Sequence, residues 1–183
     1  MLRPMNKKEN LKTVIRTLRT YGNRMMENLS SEDLFWIPEK TNARTIHSYF
    51  RHIINAEIFW LKMLDEEIFN YIDKSVLINE MTDIYNRLGQ YLIDLVDNCS
   101  DSELLIQTPI FVKKEIAEKG TLAWLIERTS LHALHHFAQI AYIRYARNNP
   151  PASEPLPSAS EKFVSWGDAM DTLIFSFLRN ELI

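Results

Sequence analysis

Residues 121–149 contain neither proline nor glycine, and so long a run of mixed aliphatic, aromatic and charged residues folds most readily as one α-helix. Within it, Ser130-Leu131-His132-Ala133-Leu134-His135-His136-Phe137-Ala138-Gln139-Ile140 places His132 and His136 at i and i+4. Side chains so spaced stand about 40° apart on one helical face. Two imidazoles in that position can bind one transition metal without bending the backbone, and they leave room for a third ligand from a neighbouring helix. His52 is the candidate for that third ligand.

The rest of the chain is built to match. Four glycines and seven prolines in 183 residues favour long helices over a turn-rich β architecture. A content of 46% hydrophobic and 25% charged residues is that of an ordinary globular domain. A net charge of −3 and a pI near 6.0 make no electrostatic case for nucleic acid or an anionic membrane. The single cysteine, Cys99, excludes an internal disulfide and a Cys-rich zinc site, suits a reducing compartment and reads as a bystander. Residues 1–10 carry no apolar h-region, and no run approaches the roughly 20 apolar residues of a membrane span, so a soluble cytoplasmic domain is expected.

Periodicity predicts five helices. Leu11, Val14, Ile15, Leu18, Tyr21, Met25 and Leu29 mark a first helix over 7–29. Pro38 stops any continuation, with Trp36 as a lid over the bundle end. A second helix opens at Thr45 and runs to about Glu66, with His52 inside its apolar arc. His47 falls about 140° from His52 on the polar side and reads as solvated. A third helix, 75–98, is expected to be capped by Ser75, with Gly89 marking close packing. Residues 99–120 read as irregular, with Ile110-Phe111-Val112 as a short extended piece, and serve either as a lid over a site or as a plain surface loop. The fourth helix spans about Thr121–Arg147. Its histidine face carries Arg128, His136 and Gln139, while His135 lies about 60° to the other side of His132, supporting the ligands or the fold. Residues 148–160 hold four of the seven prolines and form a linker. Phe163, Val164, Met170, Leu173, Ile174, Phe177 and Leu178 then mark a C-terminal helix, 161–183, whose apolar face must cover the bundle or a second subunit, making a homodimer an expectation.

Three neutral imidazoles around a divalent ion keep its +2 charge and an open position, where a water or a thiol could be deprotonated near neutral pH. Core histidines bonded to carbonyls or tyrosine hydroxyls explain the i, i+4 pair equally well. The third inward histidine, from another helix, is what favours metal. The HExxH protease pattern is absent, since Ala133 stands where its glutamate would be, and no GxSxG, P-loop or GxGxxG motif occurs.

Two stretches carry a resemblance over roughly residues 10–147. One is Thr45-Ile46-His47-Ser48-Tyr49-Phe50-Arg51-His52-Ile53-Ile54-Asn55-Ala56-Glu57-Ile58-Phe59-Trp60. The other is Gly120-Thr121-Leu122-Ala123-Trp124-Leu125, leading into His132, His136, Gln139-Ile140 and Arg144. Together they resemble the DinB/YfiT-like superfamily of small helical proteins. The resemblance implies an all-α four-helix bundle of up-down-down-up topology, here with an additional C-terminal helix. It also implies a divalent metal, zinc or nickel, on His52, His132 and His136. Up-down-down-up order needs the second and third helices parallel, and a connection over 67–74 at about 3.4 Å per residue can just span a 20-residue helix. The family often has Arg-Gly after the last histidine; this chain has Phe137-Ala138, and its tail is longer.

The resemblance further implies a metal-dependent enzyme. Some relatives transfer low-molecular-weight thiols such as mycothiol, bacillithiol or glutathione to electrophiles, with the metal lowering the thiol pKa. Helix geometry offers Arg128, Gln139 and Tyr49 as contacts for the small-molecule substrate. Two other readings stand beside it: a metal-dependent hydrolase with Glu57 as base, and a non-enzymatic stress-response protein whose metal is structural.

Overall fold

The computed structural model describes residues 7–39, 41–64, 69–112 and 115–151, so the expected helix at 161–183 and most of its linker lie outside them. The first period folds as α1, Lys7–Met26, burying Leu11, Val14, Ile15, Leu18 and Met25. Asn28, at φ 56°, ends it in the left-handed region that asparagine tolerates better than most residues. A short helix that periodicity did not announce follows, α2, Ser31–Phe35. Its signal is local: the Ser30 hydroxyl accepts from the Asp33 amide at 3.1 Å, and the Ser30 amide donates to Asp33 Oδ2 at 3.1 Å, a capping box.

The second long helix is α3, Ile46–Leu61, capped as expected by Thr45, whose hydroxyl accepts from the Ser48 amide at 3.1 Å. It ends at Leu61 rather than near Glu66. The third is α4, Ile78–Asn98. Ser75 does not cap it: the Ser75 amide and hydroxyl both donate to Asp73 Oδ1 at 2.9 Å, forming a turn ahead of the helix.

The expectation of an irregular 99–120 segment is corrected. A 3₁₀ turn at Glu103–Leu105 leads into an antiparallel hairpin of β1, Gln107–Val112, and β2, Glu115–Thr121, with a register irregularity between Ile110 and Phe111. Paired strands satisfy one another's backbone groups, which an isolated loop cannot do. The extended Ile110-Phe111-Val112 piece falls within β1. β2 runs straight into α5, Leu122–Ala146, where the Thr121 hydroxyl accepts from the Trp124 amide at 3.0 Å.

The four long helices form a ring in which α1 packs on α4 and α5, and α3 closes the circle against both. Lys12 pairs with Asp97 at 2.7 Å, and Asn23 donates to Asn86 at 3.0 Å, so α1 and α4 run in opposite senses. Tyr21 meets Phe137, and Arg144 reaches Met25, so α1 and α5 run in the same sense. Tyr49 meets His136 and Trp60 meets Trp124, so α3 opposes α5. It follows that α3 and α4 are parallel.

Phe50, Tyr85 and Phe137 are the bulkiest fully buried side chains among the described residues, with ring centroids 5.3 and 6.1 Å apart in turn. Gly22 makes room for them: a Cβ there would sit 2.6 Å from Phe137 and 2.7 Å from Tyr85. Gly89 does mark a close approach, since a Cβ would fall on the Arg19 side chain as it crosses from α1. Arg144, 2% exposed, donates to the carbonyls of Met25 at 2.9 Å and Arg24 at 3.2 Å, satisfying the open end of α1. Among the described residues no helix is long and apolar enough to cross a membrane.

His47 is the clearest departure from the helical-wheel reading. It is 6% exposed rather than solvated, its Nε2 lies 3.0 Å from the Val76 carbonyl, and its ring stacks on Phe35. The face of α3 opposite His52 is covered by α2 and the chain entering α4, and a buried imidazole there needs the bond it makes.

Candidate metal centre

The metal-ligating candidates come together. α3 supplies His52, and successive turns of α5 supply His132 and His136. Ring centroids lie 5.0 Å apart for His52 and His132, 4.8 Å for His52 and His136, and 4.5 Å for His132 and His136. One nitrogen from each lies within 4.8 Å of the others. His132 Nε2 and His136 Nε2 are 3.1 Å apart. A tetrahedral zinc with Zn–N of about 2.0–2.1 Å needs its nitrogens about 3.3 Å apart, so this pair is close to that spacing, with a His52 nitrogen within 4.8 Å of both.

The protonation states also fit a metal. His136 Nδ1 is 2.6 Å from Gln139 Oε1, an acceptor, so Nδ1 carries the hydrogen and Nε2 keeps its lone pair towards the cluster. Burial, then neighbouring His136 and His52, pushes His132 down to about 4. Burial lowers His52 as well, with His136, Arg44 and Arg51 adding to it. Burial also lowers His136, opposed by the Gln139 bond. All three rings are therefore neutral near pH 7, the form that binds a cation.

A pH dependence follows. The unfolded chain protonates its histidines near 6.5, whereas the fold resists protonation of His132 until about 4. The metal-free protein is expected to keep the full contribution of His132 above pH 6.5 and to lose it progressively as pH falls towards 4. Thermal melts of metal-free wild type and His132→Gln between pH 7.5 and 4.5 check this: the wild type should lose more Tm, and parallel curves would contradict it.

The surroundings differ on the two sides. Towards the start of α5, Trp60 and Trp124 meet edge to face at 5.8 Å, and the exposed Arg128 guanidinium lies 5.9 Å from the Trp60 ring. Towards its end, a cleft of about 480 Å³ is lined by Asn42, Ala43, Tyr49, His135, Ala138, Gln139, Tyr142 and Ile143. Of the contacts expected for a substrate, Tyr49 is a buried wall 5.6 Å from the His136 ring, and Gln139 both lines the cleft and holds His136. Arg128 stands on the aromatic side instead. His135 is exposed, its ring 5.0 Å from His136, at the cleft rather than in the cluster.

Sequence reasoning missed Asn42, Ala43 and Arg44, which precede α3 and have no helical period to reveal them. Glu57, offered as a hydrolytic base but about 140° from His52 on the wheel and so expected to face a neighbouring helix, does face one. Glu57 is 7% exposed and forms an ion pair with Arg19 of α1, well away from the histidine face.

Two comparisons bear on this geometry. No curated protein matches the sequence. A family model described as the DinB superfamily matches residues 15–140, which include all of α3 and α4, both strands and the part of α5 that carries the histidines. A match over more than half the chain, with three imidazoles converging where the resemblance put them, leads to one conclusion: this chain belongs to the DinB superfamily.

Proposed function

We propose that the protein is a divalent-metal-dependent enzyme that transfers a low-molecular-weight thiol to an electrophile. The convergence of three neutral imidazoles beside an open cleft carries this reading. A divalent ion held by His52, His132 and His136, zinc or nickel being suited to imidazole, would supply the Lewis acidity that lowers the pKa of a thiol or water presented to it. The chain's own residues do the rest. Gln139 holds His136 in the ligating tautomer. Arg44 and Arg51 lie close enough to depress the cluster's basicity, and Arg128 does the same to His132, so the site favours an anion such as a thiol bearing carboxylates. Tyr49, Tyr142 and Ile143 give the cleft apolar walls for the electrophile.

In the transfer, the thiol loses its proton to solvent, a carbon–sulfur bond forms and the electrophile's leaving group departs with its electron pair. The hydrolytic reading loses its candidate base, because Glu57 is committed to Arg19. A purely structural metal calls for a closed fourth position, whereas all three imidazoles here are only partly buried, and His136 stands against Tyr49 and Gln139 of the cleft wall.

The experiment is a zinc-loaded assay with bacillithiol, mycothiol and glutathione against monochlorobimane, in which sulfur replaces chloride. Turnover with one thiol that disappears in His132→Ala supports the proposal. Ester hydrolysis without any thiol would favour the hydrolase, and inactivity in both would favour the structural metal.

A further inference from the structure

The ion pair inside the bundle is only half made. Nη2 of Arg19 donates to Oε1 of Glu57, but Nε of Arg19 and Oε2 of Glu57, both buried, meet no partner among the described residues. A guanidinium and a carboxylate often close two parallel bonds, which would satisfy both atoms at once. Here other contacts set the guanidinium. Its centre stands 4.0 Å from the centroid of the Tyr85 ring, and its Nε lies against Gly89, where a Cβ would come within 2.3 Å of it. Turning the group to make the second bond would give up that packing. A missing bond on a buried charge is costly, so each such atom calls for a partner.

Arg19 and Glu57 share a small cavity with Tyr85 of α4 and with Thr129 and Ser130 of α5. Its volume is about 10 Å³, the lower limit for one water molecule. The two unsatisfied atoms make opposite demands: Nε–H needs an acceptor and Oε2 needs a donor. A cation there would face the guanidinium, and an anion would face the carboxylate. Water meets both demands and has a second hydrogen to give. Oxygens for that hydrogen stand on the α5 wall. The Thr129 hydroxyl donates to the carbonyls of Leu125 at 3.1 Å and Ile126 at 2.9 Å, so its oxygen is free to accept, and Ser130, 6% exposed, is beside it. We propose that this cavity is a binding site for a single buried water that accepts from Arg19 Nε and donates to Glu57 Oε2. The water completes the ion pair and ties α1 and α3 to α5 at the turn that carries His132. It depends neither on bound metal nor on thiol chemistry, so its test is separate from the proposed activity.

The test uses the full wild-type chain, so no variant has to fold. In a high-resolution crystal structure, one isolated density peak is expected at about 2.7–3.2 Å from both Arg19 Nε and Glu57 Oε2. A two-bond Arg19–Glu57 pair with no peak between its members would overturn the proposal. In solution, the Arg19 Nε–H resonance of nitrogen-15-labelled protein, assigned through bonds, reports on the same contact. It should show a rotating-frame cross peak to water of opposite sign to the diagonal, which marks dipolar contact with a held water rather than hydrogen exchange. The absence of that peak, or a peak of exchange sign alone, would overturn the water site.

Discussion

Arg19→Met is expected to destabilise the protein by about 3–5 kcal/mol, a fall of roughly 10 °C in Tm for a chain of this size. Arg19 lies between α1 and α4, crosses Gly89, stacks 4.0 Å from the centroid of the Tyr85 ring and pairs with Glu57 of α3. The side chains of Arg19 and Glu57 are 13% and 9% exposed, so little water reaches either. Removing the guanidinium strands a buried carboxylate, and the desolvation cost of that charge, rather than the lost attraction, dominates the effect. The distinction is measurable. Arg19→Met with Glu57→Leu removes both charges and should recover most of the lost stability, giving a large coupling in a double-mutant cycle by denaturant titration. A double variant as damaged as the sum of the singles would show that the pair matters through shape alone. Tyr85 belongs to the same network: burial raises its pKa, and its hydroxyl donates to the Leu18 carbonyl at 2.8 Å.

Zinc is expected to stabilise the protein, and His132→Ala to abolish that gain. Free zinc at a thousandfold excess over its Kd adds about 4 kcal/mol to a fold that alone presents the site. For a chain of this length that is about 8–16 °C in Tm. His47→Ala is the informative control. It loses the bond to the Val76 carbonyl and the stacking on Phe35, so its metal-free Tm should drop, yet the zinc increment should remain. Equal zinc increments in wild type and His132→Ala would detach the metal from this cluster.

Much of this was legible before any coordinates. Apolar spacing located α1, α3, α4 and α5, because each buries one broad stripe on a common core, and the capping threonine Thr45 fixed where α3 begins. The i, i+4 histidines were legible because helix geometry alone stacks them. Other features depend on tertiary contact. His47 looked solvated on a wheel that assumes one buried face, but α3 has a second neighbour in α2, whose five residues are too few to show a period. The hairpin was hidden because strand pairing is non-local and Pro109, paired with Lys119, argued against a strand. Glu57 was legible as facing a neighbouring helix, but its partner Arg19, a polar spacer in the α1 period, emerges only once α1 is packed opposite α3. Within the cluster, spacing supplied His132 and His136, but the role of Gln139 as the group orienting His136 needed the side-chain geometry.

The central claim is that His52, His132 and His136 hold one divalent ion. The most direct measurement is elemental analysis of untagged, purified protein, wild type beside His132→Ala, after reconstitution with zinc and removal of excess. Close to one equivalent is expected in the wild type and almost none in the variant. No bound metal in the wild type, or the same amount in both, would reduce the three residues to core histidines, and the proposed activity would fall with them.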